Sequence, residues 1–417
     1  MTAVRRFQPR SYKTFRCIGA ECEDTCCNGW IVPVDRRTYD AYQQCDDPEL
    51  GPKLRELVTI NTVAANDERY ARLPLLSNGC AFLADGLCSI QSRLGEAYLS
   101  NMCARYPRVM NRVDGVVQRS LDLSCPEAAR MVLLDPEPML FEDDNSAEDD
   151  SRGVDPPELR SGEANTPKPY GFYREIRGFV IGLLQYRAFP LWKRVAILAS
   201  FCDELQRMGE AGQIAQAPKL VGGFQEAVGR DLFGPGLEKT QPHHARQLEL
   251  AAECILARIK ADFTAPRFLA CYQELLEGIG WKPESAMGDI ARRYGEASRQ
   301  YYGPFLSGHE FMLEHYLVSY VFRTLFPLGA QNRDAGADRP VRDECFLLLA
   351  YYGVVQTLLI GAASFYKSEM GSGQAVRVIQ SFVKAFEHSL TFPGQILEIL
   401  QKAGFDTCIR LALLWRT

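Results

Sequence analysis

Residues 345–366 read CFLLLAYYGVVQTLLIGAASFY, a run of 22 residues without a charged side chain. A helix of this length and composition is long enough to span a bilayer. Gln356, Thr357 and Ser364 lower its hydropathy, so we favour the other interpretation, a helix buried at the centre of a helical bundle. The sequence leaves peripheral association with a membrane open.

The sequence before this run has a helical periodicity of its own. Apolar residues recur at three- and four-residue spacing, with Pro or Gly between the segments, in residues 171–187, 191–208, 245–263 and 268–280. Strand-like alternation is scarce in this half of the chain. We therefore predict an all-α domain over residues 170–417.

A segment of different composition precedes this domain. Residues 134–169 are rich in acidic residues, Pro, Ser and Gly and poor in large apolar residues. Such a segment cannot bury enough apolar surface to fold alone. We predict that it is a linker or a mobile loop.

The region before the predicted linker, residues 1–133, is defined by its cysteines. Nine of the fourteen cysteines of the chain lie in its first 125 residues, and four of these occur within CIGAECEDTCCNGW, residues 17–30. The nine are Cys17, Cys22, Cys26, Cys27, Cys45, Cys80, Cys88, Cys103 and Cys125. The other five are scattered singly through apolar stretches, as is typical of cysteines that pack in a core.

Clustered thiols in a reducing compartment indicate metal binding or redox chemistry more than disulfides. Thiolates favour soft metals such as zinc or the iron of iron–sulfur clusters. All five histidines lie beyond residue 169, so we expect an all-cysteine centre. The spacing C-x4-C-x3-C-C, followed by Cys80-x7-Cys88, is not that of a zinc ribbon, and Cys125 precedes Pro126 as in ferredoxin motifs, so iron–sulfur is favoured over zinc.

Two short helices are predicted in this region, one in DRRTYDAYQQC with Asp35 as its N-cap and one in residues 92–106. The abundance of Cys, Gly and Pro otherwise indicates irregular loops held by a metal centre. The predicted fold is therefore mainly α: an irregular cysteine-rich metal-binding region, then a linker, then an all-α helical domain.

The totals of the chain exclude some classes of function. The 417 residues carry 47 Lys and Arg against 52 Asp and Glu, a formal net charge of -5, which gives no general attraction to nucleic acid. The N-terminus has basic residues but no apolar run behind them, so we predict no secretory signal and a cytoplasmic location.

Three blocks of sequence carry a family resemblance. Residues 17–42, CIGAECEDTCCNGWIVPVDRRTYDAY, and residues 79–108, GCAFLADGLCSIQSRLGEAYLSNMCARYPR, resemble the cysteine-cluster proteins of C-x-x-C-x-x-x-x-C-C type, specifically the flagellin lysine N-methylases. Residues 301–327, YYGPFLSGHEFMLEHYLVSYVFRTLFP, are similar to the helical half of that family. The first spacing here, C-x4-C, departs from the shorter pattern of the broader domain.

The resemblance implies methyl transfer from S-adenosylmethionine to surface lysines of flagellin in the cytosol, with an iron–sulfur cluster of the 4Fe-4S type as a cofactor. The cluster ligands would come from Cys17, Cys22, Cys26, Cys27, Cys80, Cys88, Cys103 and Cys125. Zinc is the alternative metal. The oligomeric state is left open, including a homo-oligomer.

Methyl transfer to lysine requires a neutral amine, so the site must desolvate the side chain or offer a base. Candidates within the third block are Tyr301, Tyr302, Glu310, Glu314 and Tyr316, although an exposed carboxylate or a packed aromatic is the more ordinary interpretation of each. The competing functions are a non-catalytic zinc- or iron-binding interaction module and an iron–sulfur redox protein.

Overall fold

The structure is a computed structural model, and it describes residues 5–62, 66–76, 79–144, 152, 154–161, 170–260, 265–329, 339–389 and 391–417. Helices predominate in these ranges, and strands occur in the N-terminal part. The prediction of a mainly α protein is therefore confirmed, but the N-terminal part is less irregular than we expected.

The C-terminal part is a bundle of twelve α-helices over the described residues. They are α7 (Tyr173–Leu184), α8 (Leu191–Glu210), α9 (Ala217–Gly229), α10 (Gly234–Leu237), α11 (His244–Ile259), α12 (Pro266–Gly278), α13 (Met287–Ala297), α14 (Gly303–Thr324), α15 (Val341–Tyr366), α16 (Ser372–Phe386), α17 (Phe392–Lys402) and α18 (Cys408–Leu414). The four segments predicted from periodicity correspond to α7, α8, α11 and α12.

Helix α15 contains the uncharged run and lies at the centre of the bundle. It packs against α8, α11, α12 and α16, and its side chains from Cys345 to Ala363 are buried. Among the described helices, it alone, with the following turn to Glu369, is long and apolar enough to cross a membrane, and its most apolar stretch lies wholly inside the protein. The buried-helix prediction is confirmed.

The described residues of the N-terminal part contain six α-helices, several of them short. They are α1 (Ser11–Thr14), α2 (Arg36–Gln43), α3 (Leu50–Leu57), α4 (Ser89–Leu94), α5 (Asn101–Arg105) and α6 (Pro126–Leu133). Helix α2 begins as predicted, because the Asp35 carboxylate accepts a hydrogen bond from the Thr38 N–H at 3.0 Å.

The single helix predicted over residues 92–106 is wrong. The structure has α4 and α5 there, separated at Gly95, where φ is +85°. That left-handed backbone conformation ends α4, and glycine adopts it without steric cost.

A five-stranded sheet, which the sequence analysis missed, lies between the cysteine-rich loops and the bundle. Its order is β11 (Phe141–Asp144), β1 (Arg6–Pro9), β10 (Val116–Leu121), β9 (Arg108–Val113) and β12 (Glu158–Leu159). Strands β9 and β10 form a hairpin through Asp114 and Gly115, both with positive φ. An Asp-Gly pair between two Val-rich runs is a strong hairpin signal, and the abundance of Cys, Gly and Pro around it obscured that signal.

The segment predicted to be a linker contributes to this sheet. Residues 141–144 pair with β1, and residues 158–159 pair with β9. Edge strands need few apolar residues, because the neighbouring strand forms hydrogen bonds with their backbone. An acidic composition therefore does not exclude a strand at the edge of a sheet. Residues 145–151, 153 and 162–169 lie outside the described residues.

Seven very short strands complete the cysteine-rich part. They are β2 (Pro33–Val34), β3 (Thr59–Ile60), β4 (Ala71–Arg72), β5 (Leu75–Leu76), β6 (Gly79–Cys80), β7 (Leu83–Ala84) and β8 (Leu87–Cys88). They form one three-stranded and two two-stranded sheets around a small core that includes Tyr42, Leu54 and Phe82.

The close crossing of α12 and α15 gives a test of the bundle. A Cβ atom on Gly361 would lie 2.5 Å from the Cα atom of Leu275, so alanine forces the two helices apart. We expect Gly361→Ala to lower the free energy of unfolding by about 1–3 kcal/mol, the typical cost of overpacking. The measurement is chemical denaturation followed by circular dichroism.

Gly178→Ala on α7 is the matched control, because nothing lies within 4 Å of the added Cβ. It should be neutral or stabilise the protein by about 0.5–1 kcal/mol, through the helix propensity of alanine. Equal effects of the two substitutions would contradict the packing described for α12 and α15.

Candidate metal centre

Five of the eight predicted ligand cysteines line one cavity of about 60 Å³. They are Cys26, Cys27, Cys80, Cys88 and Cys103. The Cys27 thiol is in hydrogen-bond contact with the thiols of both Cys26 and Cys88. The fold therefore brings together cysteines that are up to 77 positions apart in the sequence.

Short elements hold these cysteines in place. The Cys80 N–H in β6 donates a hydrogen bond to the Cys27 carbonyl at 2.7 Å, which fixes the N-terminal loop against the strand. Cys88 ends β8 and is the N-cap residue of α4. Cys103 lies in α5, whose N-cap Ser100 accepts a hydrogen bond from the Cys103 N–H at 3.2 Å.

The other three predicted ligands do not line this cavity. Cys17 and Cys22 influence each other electrostatically, and both influence Cys125, so the three thiols are near one another. Cys125 is the N-cap residue of α6, and burial raises the pKa of its thiol to about 12, against the opposing effect of the backbone N–H groups of Ala128 and Glu127. The eight cysteines thus form a set of five and a set of three.

Backbone N–H groups near the cavity favour the thiolate forms of two cysteines. Those of Ile90 and Gln91 act to lower the pKa of the Cys88 thiol, against the raising effects of contact with the Cys27 thiol and of burial. That of Phe82 acts to lower the pKa of the Cys80 thiol, against the larger raising effect of burial. Burial acts in the opposite direction, raising the pKa of the Cys103 thiol to about 12. Contact with the Cys26 thiol, together with burial, raises the pKa of the Cys27 thiol to about 12. Thiolates in such surroundings need a cation beside them, as a bound metal supplies.

The thiols in the cavity are suitable donors for a metal. Their side chains would have to rotate before they could bind one together. Within the ranges that the structure describes, no group of three or more His, Cys, Asp or Glu side chains has the arrangement of a metal site. The Tyr42 hydroxyl is buried beside Cys80, Cys88 and Cys103 and has no hydrogen-bond partner among the described residues. A buried hydroxyl without a partner is costly, so a bound acceptor in the cavity would satisfy it.

No histidine lies near the cysteines along the sequence, but the fold brings His388 against a residue that lines their cavity. The His388 ring packs edge-on against Trp30 at 5.2 Å, and Trp30 lines the cysteine cavity. The His388 Nε2 atom lies 3.3 Å from an Asp122 carboxylate oxygen. Sequence spacing gave no signal for the contact between His388 and Trp30, because the two residues are far apart in the sequence.

Aromatic side chains of this cavity were also missed. The rings of Trp30 and Tyr106 are 5.1 Å apart, and both line the cavity with Tyr42. Trp30 falls inside the quoted CIGAECEDTCCNGW stretch, and Tyr106 follows Cys103 by three residues, so proximity to the cysteines was the available signal.

The five catalytic candidates from the third block lie elsewhere. Glu314 is fully buried and forms ion pairs with Arg194 at 2.6 Å and Arg187 at 2.9 Å, and Glu310 pairs with Arg194 at 2.7 Å. These contacts make the two carboxylates structural. Tyr301 and Tyr302 pack in the bundle, whereas the Tyr316 hydroxyl donates to Glu387 at 2.8 Å.

A buried arginine connects the bundle to the cysteine-rich part. The Arg323 guanidinium lies 3.5 Å from Asp122 and also forms an ion pair with Glu387. His388 and Arg323 together hold the pKa of Asp122 well below its usual range, against the opposing effect of burial. Asp122 is therefore a carboxylate at neutral pH despite complete burial.

The turn at Gly79 tests the geometry of the cavity. Gly79 has φ +115°, and an added Cβ would lie 2.9 Å from the Cys27 carbonyl oxygen. We expect Gly79→Ala to cost about 1–3 kcal/mol through backbone strain and to displace the loop that carries Cys27. Thermal unfolding and the accessibility of cysteines to a thiol reagent would both report the change.

Gly86→Ala is the matched control for that substitution. Gly86 also has a positive φ, +75°, but nothing lies within 4 Å of an added Cβ. It should share the strain without displacing Cys27, so only Gly79→Ala should increase thiol reactivity. An equal increase in both variants would argue against the described loop contact.

Comparisons with known proteins place this arrangement in context. The family described as the FliB lysine N-methylase C-terminal domain matches residues 177–414, which is more than half of the chain. The chain is 30% identical over 142 residues to a lysine-N-methylase of Salmonella typhimurium, covering 33% of this chain and 35% of that protein. The flagellar biosynthetic protein FliU of Salmonella muenchen is equally similar over 142 residues, which cover 33% of this chain and 83% of FliU.

The match to the lysine-N-methylase thus spans about a third of the length of that relative. No solved structure gives a significant match to the chain.

Proposed function

Because the chain belongs to the FliB lysine N-methylase family, we propose that it is a protein-lysine N-methyltransferase that uses S-adenosylmethionine and acts on flagellin. The observation that carries this proposal is the match of the helical part, residues 177–414, to the family. The names of the relatives, a lysine-N-methylase and a flagellar biosynthetic protein, support lysine as the acceptor and flagellin as its carrier. Methylation before export would place the enzyme in the cytoplasm.

We propose further that the cysteine cavity holds an iron–sulfur cluster, with Cys27, Cys80, Cys88 and Cys103 as its ligands. Four sulfur donors are the usual set for such clusters, and these four line the same cavity. When bound, a cluster held by these four thiolates would stabilise the cysteine-rich part and would leave no open iron to chelate S-adenosylmethionine. Zinc in the same cavity would instead act as a structural clamp.

The residues of the chain itself would prepare the methyl donor. Trp30 and Tyr106 line the cavity, and the faces of aromatic rings attract a sulfonium cation. The apolar side chains of Val32, Leu73 and Leu99 line the same space and would exclude water from it. Exclusion of water strengthens electrostatic contacts and prevents side reactions.

A transfer assay with purified chain, isotopically labelled S-adenosylmethionine and flagellin tests the activity. We expect labelled methyl groups on flagellin lysines, identified by mass spectrometry, and at least a hundredfold loss of transfer in Cys103→Ala together with loss of bound iron and sulfide. The anaerobically purified protein would be assayed for iron, acid-labile sulfide and zinc.

Cys45→Ala is the matched control, because Cys45 is buried in the same small core but does not line the cavity. It should retain iron and most of the transfer. Stoichiometric zinc without sulfide would contradict the cluster, and normal folding without any methyl transfer in the unmodified chain would contradict the enzyme.

The unpartnered Tyr42 hydroxyl gives a second test of the cluster. If it donates a hydrogen bond to a cluster sulfur, Tyr42→Phe should leave the iron content unchanged and lower the reduction potential, because the bond favours the more reduced form. A hydrogen bond of ~1 kcal/mol corresponds to a shift on the order of 40 mV for one electron. Spectroscopic redox titration measures the reduction potential. An unchanged potential would show that the Tyr42 hydroxyl does not donate a hydrogen bond to the cluster.

A further inference from the structure

The cluster proposed for the cysteine cavity leaves four of the eight predicted ligand cysteines without a role. They are Cys17, Cys22, Cys26 and Cys125. The first three lie in the N-terminal loop with the spacing C-x4-C-x3-C, and Cys125 precedes Pro126. Thiols that cluster in this way are typical of metal ligands and not of single cysteines packed in a core.

Hydrogen bonds from α16 hold the N-terminal loop beside Cys125. The side-chain nitrogen of the buried Gln380 donates to an Asp24 carboxylate oxygen at 2.8 Å and to the Ser124 carbonyl at 2.7 Å. Lys384, one turn later, donates to the other Asp24 carboxylate oxygen at 2.6 Å. A single amide thus connects the loop to the residue that precedes Cys125 in the sequence.

Contacts with α6 bring the rest of the loop to the same place. Arg130 of α6 donates to the Glu23 carboxylate at 2.6 Å, and Cys125 is the N-cap residue of this helix. Phe15, two residues before Cys17, packs in the same small core as Cys125. Both ends of the cysteine loop therefore lie near the start of α6.

Cys26 lies at the boundary between the two sets of thiols. It lines the cysteine cavity, as does Tyr106, and Tyr106 also packs against the small core that contains Cys125. Four thiolates are the usual ligand set of a zinc ion or a 4Fe-4S cluster, so the cavity has one thiol too many and the other set has one too few. Assigning Cys26 to the second set makes both sets complete.

We propose that Cys17, Cys22, Cys26 and Cys125 hold a second soft-metal centre, separate from the cluster of the cysteine cavity. This inference rests on the ligands proposed for that cluster, because it uses the thiols that they leave. We expect iron–sulfur rather than zinc, since the step from Cys125 to Pro126 is also found in ferredoxin ligand motifs. A metal here would fasten the N-terminal loop to α6, and the chain between them carries every ligand of the first centre.

Side-chain rotation is needed at this centre too. Across the ranges that the structure covers, no three or more His, Cys, Asp or Glu side chains are already arranged as a metal site. Cys17 and Cys26 are exposed, so they can turn without repacking a core, whereas Cys125 is buried. The exposed pair would thus move toward the fixed one when a metal binds.

Metal counting on the full chain tests the second centre without methyl transfer. Protein purified and reconstituted with iron and sulfide under anaerobic conditions would be assayed for iron, acid-labile sulfide and zinc. We expect about eight irons per chain, because each 4Fe-4S cluster contributes ~4. About four irons together with about one zinc would support the second centre as a zinc site.

Cys26→Ser and Cys27→Ser are the decisive variants, because they change adjacent residues that we assign to different centres. Each should lose about half of the metal, and the double variant should lose nearly all of it. Cys17→Ser, at an exposed position, should also lose about half. Combined with Cys26→Ser it should lose no more, whereas combined with Cys27→Ser it should lose the rest.

Cys45→Ala again serves as the control, because Cys45 is buried in the core of the cysteine-rich part and belongs to neither ligand set. It should keep the metal of both centres. Circular dichroism would verify that each variant is folded, and the exposed position of Cys17 keeps the test open if a substitution at Cys26 disturbs the cavity.

The outcomes separate this inference from the proposed function. Metal for one centre only, unchanged in Cys17→Ser, would overturn the second centre and leave the first. Loss of all metal in both Cys26→Ser and Cys27→Ser would also overturn it, because a single centre would then use both sets of thiols. Metal that Cys17→Ser removes and Cys27→Ser retains would support the second centre and reject the cluster proposed for the cavity. Absence of methyl transfer would reject the proposed activity, and the metal counts would still decide the second centre.

Discussion

The pairing of one buried arginine holds the two parts of this protein together. Arg323 extends from α14 to Asp122, which follows strand β10, and to Glu387, which follows α16. A buried guanidinium without a carboxylate would be strongly destabilising, so the sheet and the bundle must stay docked to keep it paired. The Arg323 carbonyl also accepts a hydrogen bond from the Asn111 side chain of β9 at 2.8 Å.

The two parts are stabilised by different means. The bundle has one large apolar core centred on α15. The uncharged residues of α15 fill this core, which needs no cofactor to be stable. The cysteine-rich part has a small core and strands of two residues, so few apolar contacts determine its shape. A metal bound by its thiolates would supply the constraint that its core lacks, since metal binding to such sites contributes directly to folding.

The cysteine-rich part has a role in the proposed reaction. A cavity with thiols and aromatic rings suits a metal cluster and a sulfonium. The charged side chains of Asp122, Arg323 and His388 connect the surroundings of this cavity to the bundle. Burial of the charged network gives it a fixed geometry, because each partner is needed to offset the desolvation of the others.

The sequence by itself determined the helices, the burial of residues 345–366 and the family, because periodicity, hydropathy and motif blocks are local properties. It also singled out the cysteines, but it could not divide them into sets of five and three, and it missed the sheet that the Asp114-Gly115 turn builds. Only the tertiary structure placed His388 against Trp30 and paired Arg323 with Asp122 and Glu387. Those contacts join residues far apart in the chain, and their geometry depends on how the helices pack rather than on any spacing in the sequence.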